Sequence, residues 1–174
     1  MSNLDSDSVK RVRHALKDAG QADTVQELPD GVRKVADAAK ALGVEPGAVA
    51  VSKIFTIGNR YVMVLMSGAS ACRSDQLPRV FNLQGAVVNP SVDLVRAVTG
   101  YPVGGASGGV PPLGLAAKLP LAIDANLKHF DKIFVAAGHG QCVFETKVSA
   151  LKSLTGGLVS YALADTGAEA KTTS

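Results

Sequence analysis

The stretch V-A-V-S-K-I-F-T-I, Val49 to Ile57, alternates as a β-strand does. Val49, Val51, Phe55 and Ile57 fall on one face, and Ala50, Ser52, Ile54 and Thr56 on the other. Lys53 shares the face of Val49, Val51, Phe55 and Ile57, so the pattern sets an ammonium among the larger apolar side chains. Gly58-Asn59 follows, and R-Y-V-M-V-L-M (60–66) returns as a second strand, a hairpin by spacing and turn chemistry. The plain explanation of Lys53 is a stem that packs on the apolar face while its head reaches water. The other is a lysine that points into a pocket. There it would meet an anion such as a phosphate, or a carbonyl turning into an oxyanion.

Upstream of the hairpin, Val32 to Leu42 reads as a helix with Val35, Ala38, Ala39 and Leu42 inward. It is ended by Gly43 and followed by Pro46. T-V-Q-E-L (24–28) is a short strand before the Pro29-Asp30-Gly31 turn. Ser8 can cap a helix that carries Val9, Val12, Ala15 and Leu16 on one face and stops at Gly20. Downstream, Leu77 to Leu83 is a short element of either type, and Ala86 to Val88 a short strand. Asn89 or Ser91 caps a helix through Val98, with Pro90 near its first turn. Leu119 to Ile123 reads as a strand and Asp124 to Phe130 as a helical stretch. Ile133 to Ala137 and Cys142 to Thr146 pair across G-H-G-Q. Lys147 to Leu154 is a helix ending at Gly156-Gly157, and Leu158 to Leu163 a last strand.

Strands and helices are interspersed, yet several strands are joined by short turns. This predicts an α/β (α+β) domain with a mixed, largely antiparallel sheet and packed helices, not a doubly wound one. The expected organisation is a disordered N-terminus over 1–7, one compact domain over 8–165 and a flexible tail over 166–174.

The composition agrees. A chain of 174 residues that is 47% hydrophobic and 19% charged can bury one real core. A formal charge of +3 permits contact with a polyanion without demanding it, and the densest cluster, Lys10, Arg11, Arg13 and Lys17, reads as the solvated face of a helix. Cys72 and Cys142 make neither a zinc spacing nor a CxxC, which fits free thiols in a reducing cytosol. The polar, acidic start is no signal peptide. Ala97 to Ala117 carries no charge, but glycines and prolines, among them Gly100, Pro102, Gly104, Pro111 and Pro112, break any spanning helix. The expectation is a cytoplasmic protein with no membrane contact.

G-G-A-S-G-G-V-P-P-L-G (104–114) could cradle a phosphate or form an oxyanion hole, because glycines let backbone N–H groups approach a ligand. It is not a P-loop, since no Lys-Ser/Thr follows, and it lacks G-x-G-x-x-G. A wide surface loop with awkward turns explains it equally well. No G-x-S-x-G is present. His14, His129 and His139 are scattered, and only His139, in a turn between strands, stays a candidate. Cys72 stands beside Arg73, which can lower a thiol pKa. Nothing calls for a cofactor or a metal.

Taken in order, the pieces resemble the YbaK/ProX family of aminoacyl-tRNA editing domains, which also occur in or with bacterial prolyl-tRNA synthetases. The matching pieces are V-S-K-I-F with R-Y-V-M-V-L-M-S-G; D-L-V-R-A-V-T-G-Y-P-V-G-G; G-G-V-P-P-L-G-L; L-P-L-A-I-D; and I-F-V-A-A-G-H, V-F-E-T and L-T-G-G, across residues 22 to 164. The resemblance implies a curved mixed sheet and hydrolysis of the ester between a wrong amino acid and the 3′ end of a tRNA. It implies Lys53 as the hallmark active-site residue, with the loop Gly109, Val110, Pro111, Pro112 and Gly114 beside it. Gly108 and Gly109 are the favoured pocket pair over Gly104 and Gly105, since A-S-G-G is interposed here. Ile54 and Met63 are expected to shape a small side-chain pocket, and His139 to line the substrate. The position where some members carry an aspartate is Val143, so no acidic residue is carried over. Implied partners are aminoacyl-tRNA, a small amino acid such as Ala, Cys or Ser on tRNA(Pro), and prolyl-tRNA synthetase. The alternative is a non-catalytic module that binds tRNA or other nucleic acid.

Overall fold

In the computed structural model, which describes residues 2–165, the quoted stretch forms strand β2 (Ala50–Ile57). Numbering the elements in chain order, helix α1 (Asp7–Asp18) comes first, then β1 (Val25–Glu27) and α2 (Val35–Leu42) before β2. After it come β3 (Arg60–Ser67), β4 (Ala71–Cys72), α3 (Leu77–Phe81), β5 (Val87–Val88) and α4 (Val92–Thr99). The glycine-rich segment leads to β6 (Leu121–Asp124), β7 (Ile133–Ala136), β8 (Cys142–Thr146), α5 (Val148–Thr155), β9 (Leu158–Ser160) and β10 (Ala164–Asp165).

Local chemistry sets the element ends. The Ser6 hydroxyl accepts from the Val9 N–H, so α1 begins before Ser8. The residues just upstream, within the segment expected to be disordered, form a 3-10 turn (Asn3–Asp5) pinned by the Asn3 N–H donating to Glu27 at 2.9 Å. Val9, Val12 and Leu16, spaced by three and four, are the buried stripe of α1. Gly43, Gly100 and Gly156 end α2, α4 and α5 in the left-handed conformation, and Ser91 caps α4. Asp124 to Phe130 is a 3-10 helix (Ala125–His129), and Leu158 to Leu163 is a strand only to Ser160 before a further 3-10 turn. The expected tail lies outside the described residues.

β2 and β3 pair antiparallel, with Lys53 opposite Val64 and Ile54 opposite Met63. The main sheet runs β5-β2-β3-β6-β9, where β2 is antiparallel to β5 and β6 is parallel to both β3 and β9. A second, antiparallel sheet, β1-β8-β7, meets the first where Val49 bridges Phe134. β4 and β10 form a small separate pair. This is the mixed α/β domain that the interspersed elements predict.

The apolar residues sort into three clusters. The central one takes Ala50, Ile54, Met63 and Leu65 from the main sheet and Ile133, Val135 and Phe144 from the second, closed by Val9, Val12 and Leu16 of α1 and Leu151 of α5. A second lies on the outer face of the main sheet, where Phe55, Ile57, Val62, Val64 and Met66 pack with Leu77 of α3 and with Leu163. The third lies outside the second sheet, where Val49, Phe134 and Val143 meet Ala38 and Ala39 of α2.

Candidate active site

The outer face of β2 explains Lys53. Val49 is covered by the α2 cluster, and Phe55 and Ile57 by the α3 cluster. Between the two covers, Val51 is half-buried and Lys53 exposed. The lysine therefore stands on the bare stretch of an apolar face, between helix-covered flanks. Among the described residues, no hydrogen bond or ion pair ties it down.

The free edge of β2 beside this stretch is taken by the glycine loop. The Ser52 N–H and hydroxyl both reach the Ser107 carbonyl, at 3.0 and 3.1 Å. The loop is a closed turn: the Gly104 N–H donates to the Gly108 carbonyl (3.0 Å), and the Gly108 N–H to the Gly105 carbonyl (3.3 Å). The two Gly-Gly pairs are thus the two ends of one ring. Gly108 has φ +84° and sits so close to Ser52 that an added Cβ would lie 2.7 Å from its Oγ; at Gly109 a Cβ would lie 2.7 Å from the Pro102 carbonyl oxygen. Gly105 presses on the backbone of Gly140, in the turn between β7 and β8. His139 belongs to that turn, where its Nδ1 accepts from the Gln141 N–H at 3.0 Å. That bond leaves the other ring nitrogen as the proton carrier of the neutral imidazole.

The ring keeps unspent donors. Among the described residues no backbone carbonyl accepts the N–H of Ala106, Ser107 or Gly109, and the Ser107 hydroxyl has no partner although Ser107 is only 3% exposed. Buried polar groups are nearly always paired, so these donors are available to an acceptor outside the described residues.

Not every expected site residue joins this place. Ile54 and Met63 lie on the opposite face from Lys53, buried in the central core, because side chains one residue apart on a strand point to opposite sides. Val110 turns into the same core, and Pro111 is buried. Pro112 and Gly114 line a cavity of about 210 Å³ with Met63, Leu121 and Leu154, on that inner side. Within G-G-V-P-P-L-G, the glycine end therefore docks on Ser52 at the edge of β2 and the Pro-Leu-Gly end seals the core. Tyr101 fastens that second end: its hydroxyl donates to the Leu113 carbonyl (3.0 Å), and the Arg11 guanidinium lies 4.5 Å above its ring. Val143 is buried under α2.

Cys72 stands beside Arg73 in the sequence, but Arg73 does not lower its thiol pKa. It lies in β4, half-buried, and burial raises its thiol pKa; the nearby Lys53 ammonium opposes this shift without reversing it. Arg73 instead points to Asp75, at 3.5 Å. Cys142 is pushed up to about 11 by burial. Neither thiol is a ready nucleophile at neutral pH. His14 pairs with Asp18 at 3.1 Å on the surface, and His129 lies against the Tyr161 ring. Among the described residues no group of His, Cys, Asp and Glu is arranged to hold a metal ion, and no helix is long and apolar enough to cross a membrane.

The chain matches the aminoacyl-tRNA editing domain family over residues 29–154. A crystal structure described as that of a candidate trans-editing enzyme for prolyl-tRNA synthetase superposes with a TM-score of 0.81 at 30% identity, over 92% of this chain and 98% of that one. The crystal structure of hypothetical protein APE2540 superposes with a TM-score of 0.74 at 25% identity, over 86% and 96%. The uncharacterized protein YwhH of Bacillus subtilis (strain 168) is 26% identical over 139 residues, 79% of this chain and 85% of its own length.

Proposed function

Because this chain belongs to the aminoacyl-tRNA editing domain family, we propose that it is a deacylase. It hydrolyses the ester of a mischarged tRNA that carries a small amino acid such as Ala, Cys or Ser, on tRNA(Pro). The observation that carries this reading is the ring of unspent donors at residues 106–109, held against Ser52, next in sequence to the exposed Lys53.

In the proposed mechanism Lys53 holds the 3′-terminal phosphate or polarises the ester. The N–H groups of the ring meet the carbonyl oxygen as it gains negative charge. Water attacks the carbonyl carbon, and its proton passes to the substrate's own amine or ribose hydroxyl, so no protein base is required. The ester C–O bond then breaks, leaving a free ribose hydroxyl and the amino acid. A small pocket separates such amino acids poorly from proline by size alone, which is why a separate editing step is useful.

The test is deacylation of Ala-, Cys- and Ser-tRNA(Pro) by the wild type and by Lys53→Ala. The expected result is turnover by the wild type and a loss of about 10²-fold or more in the variant. Full activity in Lys53→Ala would overturn the mechanism. Binding of tRNA with no turnover on a broadened panel would favour the non-catalytic alternative.

A further inference from the structure

The positive charge of this chain is concentrated. Three adjoining clefts run from α1 along the β7–β8 side to α5. The first, of about 380 Å³, is lined by Lys10, Arg13 and Lys17 together with Gln21 and Asp23. The second, of about 330 Å³, shares Gln21 with it and adds Lys132 and Lys147. The third, of about 630 Å³, shares Lys147 and Asp131 with the second and adds Lys128 and Lys152. All seven cations are exposed. The acids that line these clefts are Asp23, Asp131 and Glu145, of which Asp23 pairs with Arg13 at 2.7 Å. Seven Lys and Arg thus face three acids here, whereas the rest of the chain has eleven Lys and Arg against twelve acids.

A basic helix face alone would mean little, because such faces are commonly just solvated. Here the cations come from separate segments, α1, residues 128–132 and the start and middle of α5, and they converge on continuous concave surface. Lys and Arg outnumber acids in the first cleft (three to one) and in the third (three to one), while in the second they are matched two to two; a net positive lining raises the local concentration of the opposite charge. The path also leads toward Lys53. Phe130, Asp131 and Lys132 line a further recess with Gly43, Val44, Glu45 and Ala48, just before β2, where two acids face one lysine. From Ala48, Lys53 is five residues on, about 16 Å of strand.

We propose that this track takes the phosphate backbone of the tRNA helix while the unpaired 3′ end reaches the Lys53 stretch. The proposal rests on the deacylase reading above and adds the surface that holds the body of the substrate. Its partner chemistry is a polyphosphate backbone, bound mainly through release of counterions and hence with steep salt dependence.

The experiment compares the wild type with the triple variant Lys132→Gln, Lys147→Gln and Lys152→Gln. These side chains are exposed, and Lys147, although it precedes α5, makes no capping hydrogen bond, so the fold should persist; thermal melting verifies it. Three readouts are needed: hydrolysis of mischarged tRNA, hydrolysis of an aminoacylated CCA trinucleotide, and binding of an uncharged tRNA transcript across a KCl series. The expected result is a KM for mischarged tRNA raised roughly tenfold or more, with kcat and trinucleotide hydrolysis unchanged. The slope of log K against log salt should fall by about two to three. An unchanged KM and salt slope would overturn the track even if the wild type is an active deacylase. If the wild type hydrolyses neither substrate, the deacylase reading fails by itself. A smaller salt slope in the variant would still support the track, and an unchanged slope would overturn it.

Discussion

At the scale of single residues, Lys53 stands apart because its removal should separate function from stability. It is exposed, tied to no described partner, and flanked by apolar side chains already covered by α2 and α3. Lys53→Met keeps the stem and deletes the charge. Its stability should stay within about 0.5 kcal/mol of the wild type, as for other surface changes, while deacylation falls about 10²-fold or more. Chemical denaturation and single-turnover hydrolysis check the two halves. Cys72 reports on the same charge. Its thiol pKa is raised by burial and pulled back by the Lys53 ammonium. At neutral pH the thiol is therefore protonated and alkylates slowly, with the rate rising in alkali. Removing the ammonium in Lys53→Met removes the opposing pull, so the pH-rate curve for Cys72 should move to still higher pH. Site-resolved mass spectrometry of iodoacetamide labelling measures this, and an unmoved curve would mean that the two groups do not sense each other.

At the scale of elements, the glycine ring is what fixes the loop against β2 and the β7–β8 turn. Gly105 has φ +81° and no room for a side chain against the Gly140 backbone; Gly109, at φ +82°, has none against Pro102 and Gly104. Gly109→Ala should cost about 1–2 kcal/mol for the left-handed backbone, plus the clash, and should open the ring and lose most hydrolysis. Gly105→Ala should detach the loop from the β7–β8 turn, and so mainly lower kcat, since the donors lose their fixed aim. Melting temperature and steady-state kinetics decide both. The sequence allows the glycines to be picked out, because left-handed turns demand them. It does not show that the two pairs close on each other, or that Gly105 docks on Gly140, since such approaches join segments far apart in the chain. Ile54 and Met63 are a different case. Period-two alternation already sets Ile54 on the face opposite Lys53, and the hairpin register sets Met63 beside it. What alternation cannot say is which face of β2 carries the main core. The cap of α1 slipped from Ser8 to Ser6 for a smaller reason: both serines can accept from an N–H three residues on, and only the docked turn at Asn3–Asp5 decides between them.

At the scale of the whole molecule, α1 tests where the domain begins. The family match starts at residue 29, so α1 lies outside it. The structure nonetheless makes α1 part of the central core. Val9 and Val12 are 0% exposed and Leu16 2%, packed with residues of both sheets. Arg11 reaches past them to the Gly100 carbonyl (3.1 Å) and stacks on Tyr101, so the helix also braces the far end of the glycine-rich segment. Burying three such side chains is worth about 1.5–3 kcal/mol each. Their sum approaches the entire net stability of an ordinary domain, about 5–15 kcal/mol. A protein lacking residues 1–20 should therefore lose cooperative unfolding and expose the Phe144 and Leu151 side of the core, instead of persisting as a trimmed editing domain. Leu16→Ala, a milder version, should cost about 2–5 kcal/mol while leaving the Lys53 stretch, on the other side of the main sheet, intact. Denaturant titration of both proteins decides. If the truncated chain unfolds with the wild-type midpoint and slope, α1 is an appendage and the charge it carries belongs to a movable arm; if it does not fold, the helix is a structural wall that happens to carry part of the basic track.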